Sequence, residues 1–149
     1  NLDLKNVYNL VNQTYDVEKM LKMIIGADWK KIESEKKKEL IMVFKRYISK
    51  NYSNRFSKIK EISFKNEEKE KISSEIFLIR SNLVIKKEEF SIDYLLSLKN
   101  NTWKIFDILL DGSVSEIATK KSEFNIFIKE KRIDSLIDAL KKFNSQIPS

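Results

Sequence analysis

The chain has 149 residues, 42% of them hydrophobic and 34% charged. That is enough for one domain burying roughly 68–70% of its unfolded surface, with no apolar run near the roughly 18 residues that span a bilayer. It contains neither Cys nor His, which excludes thiol nucleophiles, imidazole bases and most transition-metal sites, and its formal charge of +7 brings polyanions into consideration as partners.

From the N-terminus, Leu4, Val7, Tyr8, Leu10 and Val11 share an approximate helical face. Asp16 then caps a second helix, in which Val17, Met20, Leu21, Ile24 and Ile25 recur at helical spacing until Gly26 stops it. Glycine is scarce, two in all, so its place after an apolar helix reads as a C-terminal cap, and Ala27-Asp28-Trp29 begins another short turn. A longer helix, 34–56, begins at Ser34, whose side chain caps the Glu35 to Lys38 turn. Its stripe runs through Leu40, Phe44, Tyr47, Ile48, Tyr52 and Phe56, and as far as Ile59. The aromatic residues of that stripe fit two readings, ordinary core against a sheet or the lining of a ligand cavity. Asn51 and Ser53-Asn54 predict a kink or interruption.

From Ile62 the period changes. A short strand at Ile62 to Lys65, a β-rich run over 75–79, the period-two alternation over 90–98 and an apolar strand over 103–110 make about four antiparallel strands in sequence order. Lys99-Asn100-Asn101-Thr102 is a hairpin signal, Lys86 to Glu89 is a polar tip, and Asn82 to Ile85 either prolongs the second strand or sits in the bend. Ser113 with Glu116 forms a capping box that opens a helix over 114–129, and Ile133, Leu136, Ile137, Leu140 and Phe143 form a last helix over 133–143. Helices before and after a short antiparallel sheet make an α+β domain. With no repeat, no low-complexity tract and no Pro before Pro148, the whole of 1–149 reads as a single domain.

Several of these segments together carry a resemblance. The strand Trp103-Lys-Ile-Phe106-Asp107, the turn Asp111-Gly112-Ser113-Val114-Ser115 and the terminal Ile133-Asp134-Ser135-Leu136 helix follow Tyr15-Asp16-Val17, Ile25-Gly26-Ala27-Asp28-Trp29 and Phe44 in order. This succession resembles the MlaC / toluene-tolerance family of periplasmic phospholipid-binding proteins over about residues 7 to 144. The turn is one residue longer than in the phospholipid-carrier branch, and with Glu116-Ile117-Ala118-Thr119 it looks closer to members associated with hopanoid transport.

The resemblance implies a nuclear-transport-factor-2-like roll, a twisted antiparallel sheet with helices enclosing a tapered apolar cavity. It also implies a carrier of phospholipid or a hopanoid-like lipid in the periplasm, exchanging cargo with an inner-membrane lipid ABC transporter complex and an outer-membrane lipoprotein complex. The bound lipid is then cargo, with no cofactor and no nucleic acid partner. Family members have a signal peptide and a further stretch of helix before the segment matching Leu4 to Gln13. The N-terminal Asn1-Leu2-Asp3-Leu4 lacks basic and apolar targeting regions, so the chain reads as mature or trimmed.

A lipid carrier must enclose its tails, because exposing each methylene costs about 0.8 kcal/mol and a tail of roughly fifteen costs on the order of 12 kcal/mol. The lipid-binding wall expected here comprises Ile25 and Trp29, the long-helix residues Phe44, Ile48, Tyr52 and Phe56, and strand residues Ile76, Leu78, Tyr94, Leu96, Trp103, Phe106, Ile108 and Leu110. Which alternate face of each strand points inward is open, since a slip of one residue exchanges the sets. Trp103 either lines the cavity, caps its wide end or packs on the sheet. Asp107, in a strand that otherwise reads buried, fits a structural hydrogen bond to a turn or helix N-terminus, or an acid-base residue. No catalytic residue is assigned and no enzyme is expected.

The competing readings are a basic polyanion- or nucleic-acid-binding module and a pocket hydrolase or isomerase of the same fold. Basic residues such as Lys36 to Lys38, Lys58, Lys60 and Lys129 to Arg132 are scattered through every segment among Glu residues, which describes a solvated surface better than a dedicated polyanion site.

Overall fold

The computed structural model describes residues 4–56, 62–130 and 132–146, apart from the side chains of residues 55, 56, 62 and 66. Lys58, Ile59, Lys60, Lys131 and Pro148 lie outside the described residues. Helix α1 (Leu4–Thr14) buries Val7 and Val11, four residues apart on one stripe. The chain then passes along the edge of a strand. Tyr15 forms a parallel bridge with Ile105, and the Asp16 N–H donates to the Ile105 carbonyl at 2.8 Å. The Asp16 side chain accepts from the Lys19 N–H at 3.0 Å and so caps α2 (Val17–Ile25).

Gly26 ends α2 at φ 79° and opens the 3-10 turn Gly26–Lys31. A Cβ added there would meet nothing within 4 Å, so the demand for glycine is dihedral and not steric. Helix α3 (Ser34–Phe56) is continuous through Asn51 and Ser53-Asn54, so these residues do not interrupt it. Such residues cost a helix at most about 0.7 kcal/mol each, which packing on either side outweighs.

The sheet has five strands, not about four, in the order β1 (Ile62–Ser73), β2 (Ile76–Ile85), β3 (Glu88–Lys99), β4 (Thr102–Leu110) and β5 (Val114–Ser115). All neighbours pair antiparallel. The first two strands run well beyond the expected segments, and Asn82 to Ile85 prolongs β2. Two-residue turns join β2 to β3 and β3 to β4. Both residues of each, Lys86-Lys87 and Asn100-Asn101, have positive φ, the pattern that matches strand twist across a tight hairpin. One bulge matters for the site. Leu95 pairs with Asp107 but Leu96 pairs with Ile105, so Phe106 is the extra residue and the faces of β4 exchange there.

The expected helix over 114–129 divides into α4 (Glu116–Glu123) and α5 (Asn125–Lys129) at Phe124, and α6 spans Ile133–Gln146. The cap of α4 is Ser115, whose Oγ accepts from the Ala118 N–H at 3.1 Å, while Ser113 lies in the turn before the two-residue β5. The core sits among the helices. Leu21, Ile24, Leu40 and Leu136 are fully buried, and Phe44 stacks on Tyr47 with centroids 5.6 Å apart, both edge-on to Phe124. Burial of each such side chain contributes about 1.5–3 kcal/mol.

Candidate functional site

Between α1, α3 and one face of the sheet lies a two-lobed cavity. Strand register builds its wall: Ile79, Tyr94 and Ile108 form one cross-strand row, and Ser81, Ile92 and Leu110 the next. One lobe, about 150 Å³, runs from these rows to Met20, Phe44, Tyr47 and Ile117. The other, about 330 Å³, lies under the α1 face of Val7, Leu10, Val11 and Thr14 and reaches Leu96 and Ile105. Its size falls within the roughly 300–1,000 Å³ usual for ligand pockets. Tyr15, Ile48, Tyr52, Phe64 and Tyr94 border both lobes, so the two meet at a waist.

Three of those five waist residues are tyrosines. Burial, with smaller effects from Tyr52 and Glu67, pushes the Tyr94 hydroxyl up to about 12. Burial also raises Tyr15, helped by Tyr94, Tyr52 and Glu116. Both stay protonated at neutral pH and available as donors. Glu116 and Lys120 border the smaller lobe and Glu67 the larger, while the Ser81 hydroxyl in the wall already donates to the Ile92 carbonyl at 2.7 Å.

The residues expected to line a cavity are distributed unequally. Phe44, Ile48, Tyr52, Tyr94, Leu96, Ile108 and Leu110 border the two lobes. Ile76 and Leu78 do not. The inward set on β2 is Ile79, Ser81 and Leu83, one residue out of step, so the expectation for those two is corrected by a register slip. Phe106 is likewise corrected, because the bulge leaves it in the helical core, buried, with the Lys19 ammonium 4.2 Å from its ring centroid. Trp29 is buried in that core beneath Lys37. Ile25 belongs to the core too and borders a separate groove of about 550 Å³ between the 3-10 turn and α6, lined by Lys36, Arg132 and Asp134 among others. Trp103 is 36% exposed and meets Phe77 edge-on at 4.7 Å, so it packs on the sheet outside both lobes. The Phe56 side chain is not among those described.

Sequence reasoning missed Tyr15, Ile79, Ser81, Leu83, Ile92 and Ile105 as lining. Tyr15 offered the one usable signal, an aromatic wedged between the end of one helix and the cap of the next. Asp107 has the structural role. Its Oδ1 accepts from the Ile108 N–H at 2.8 Å and the Ile117 N–H at 3.1 Å, and its Oδ2 accepts from the Ser115 hydroxyl at 2.5 Å, which ties β4 to the start of α4.

Among the described residues no group of three or more acidic, Cys or His side chains could hold a metal ion, and no helix is long and apolar enough to cross a membrane. The family model described as MlaC protein matches residues 4–142. No curated protein matches the chain. Among solved structures, a phospholipid-binding protein from Ralstonia solanacearum, determined in complex with a phospholipid, superposes with a TM-score of 0.79 at 21% identity, covering 97% of this chain and 84% of that one. At that identity the likeness establishes the fold, an α+β arrangement of helices on an antiparallel sheet.

Proposed function

The chain belongs to the MlaC family, and on that premise we propose that it is a periplasmic lipid carrier, holding the acyl chains of a phospholipid or hopanoid-like lipid in the two-lobed cavity. The observation that carries this reading is the wall the two lobes share, which draws on α1, α3, β2, β3 and β4 and is predominantly apolar, with Glu67, Glu116 and Lys120 as its charged members. Dispersion and desolvation hold tails on such a wall with little demand on head-group chemistry. The protein would take cargo from one membrane complex and give it to another, an inner-membrane ABC transporter on one side and an outer-membrane lipoprotein on the other. Release should be slow alone and faster where a partner shields the tail.

No cofactor or catalytic group enters this account. Asp107, the carboxylate with the best claim to acid-base work, is taken up by three hydrogen bonds within the fold. The polyanion reading is not favoured, since lysines in separate regions pair with carboxylates: Lys36 with Asp134 at 2.7 Å, Lys65 with Glu89 at 2.8 Å and Lys141 with Glu39 at 2.6 Å. Vesicle transfer tests the proposal. A phospholipid with a fluorophore on one tail should pass from donor to acceptor vesicles at a rate proportional to protein concentration. Transfer that ignores the protein, together with no uptake of the lipid, would refute the carrier reading.

A further inference from the structure

The waist between the lobes places hydroxyl donors where an apolar wall would suffice. Tyr15 is fixed there by its backbone from both sides: its N–H donates to Val11 at 2.9 Å, it bridges Ile105 on β4, and the next residue caps α2. Tyr94 stands in the middle of β3, flanked across the sheet by Ile79 and Ile108. Neither hydroxyl makes a hydrogen bond to another described residue. Each is close enough to the other, and to Tyr52, for their ionisations to be linked. Neither hydroxyl is a buried atom left without a partner, so both open on the cavity, and a ligand that fills it and displaces water from them must bring acceptors of its own or leave two donors unsatisfied.

The charge at the waist selects the kind of acceptor. Glu116 acts on Tyr15 and Glu67 on Tyr94, and none of the five residues shared by the lobes is a cation. An anionic phosphate drawn into this spot would face Glu116 and Glu67, and Lys120, which borders the smaller lobe, is already paired with Glu123 at 3.0 Å, whereas a neutral carbonyl would accept from the hydroxyls at no electrostatic cost. We propose that the Tyr15 and Tyr94 hydroxyls form a polar subsite that donates to the ester carbonyls of an acyl lipid, with one tail running into each lobe and the phosphate lying away from the waist. This rests on the carrier reading and adds a selectivity to it: the protein discriminates acyl esters from alkyl ethers of equal length.

Delipidated protein should be titrated with dipalmitoyl phosphatidylcholine and with its dihexadecyl ether counterpart, each displacing a fluorescent lipid. The diester should bind about tenfold tighter, the effect of buried donors losing their acceptors. The Tyr15→Phe/Tyr94→Phe protein, which keeps both rings, should bind the two within about twofold of each other. A second measurement needs no variant: the infrared ester band of the bound diester should shift to lower frequency than in a hydrocarbon solvent. Equal binding of ester and ether by the native protein, an unshifted band, or a preference that survives the double substitution overturns the subsite while leaving the carrier reading standing. A protein that takes up neither lipid overturns the carrier reading and the subsite together.

Discussion

The helical core and the sheet-side cavity are built from the same kinds of residue, yet one is closed and the other is not. Around Leu21, Ile24, Leu40 and Leu136 the helices interdigitate until nothing is left for solvent, while across the sheet Tyr52 and Phe64 are 37% and 50% exposed and the row Ile79, Tyr94, Ile108 stays only partly covered. Geometry makes the difference. Helices pack side chains into one another, whereas here α1 meets the sheet at β4 and α3 packs chiefly on α1, α2 and α6, which leaves the middle strands to line a space. The lesson is that in this fold apolar character does not separate core from cavity, and two residues on adjoining strands can belong to different regions.

Paired aspartate substitutions give the sharpest break between the regions. Phe106→Asp puts a carboxylate into the closed core and removes a ring whose loss alone costs about 3–5 kcal/mol, so the protein should fail to fold. Leu96→Asp, on the adjoining strand but facing the larger lobe, should leave a cooperative thermal melt and abolish lipid uptake. Identical behaviour of the two by circular dichroism would erase the distinction. Truncations should follow the same line with smaller effects. Leu136→Ala, opening a void at a fully buried position, should cost about 2–5 kcal/mol in urea unfolding, and Ile108→Ala, enlarging a space that already exists, closer to about 1 kcal/mol.

Asp107→Ala tests the joint between the regions. Removing the acceptor of three hydrogen bonds at the start of α4 should cost about 2–3 kcal/mol, and Asp107→Asn distinctly less, because an amide oxygen can still take one of them. The smallest expected effect is alkaline. Between 10.0, the ordinary tyrosine value, and about 12 in the folded protein, the unfolded chain has released the Tyr94 proton and the native one has not. The unfolded state then binds fewer protons, so stability falls as pH rises through that window, and Tyr94→Phe should flatten the fall in melting temperature.

Much of this architecture is legible in the residues. Asp16 and Gly26 bound α2 because a carboxylate cap and a positive φ are local demands, and Asn100-Asn101 marks its hairpin for the same reason. Faces are harder to read. The run Ile76-Phe77-Leu78-Ile79 is apolar at every position, so no alternation says which side is inward, and the bulge at Phe106 is fixed by pairing with a distant strand. Ser113 and Ser115 both suit a cap. The choice falls to Ser115 through Asp107, a contact eight residues away that composition cannot reveal. The waist is invisible in the sequence for a like reason, since Tyr15, Tyr52 and Tyr94 are separated along the chain and share a place only after the sheet has folded onto α1 and α3.

Native mass spectrometry of freshly purified protein, with solvent extraction of the same sample, addresses the cavity's role most directly. An adduct of lipid mass is expected on the native protein and none on Leu96→Asp. A bare protein mass, with no lipid in the extract and none taken up from added vesicles, would contradict the carrier reading.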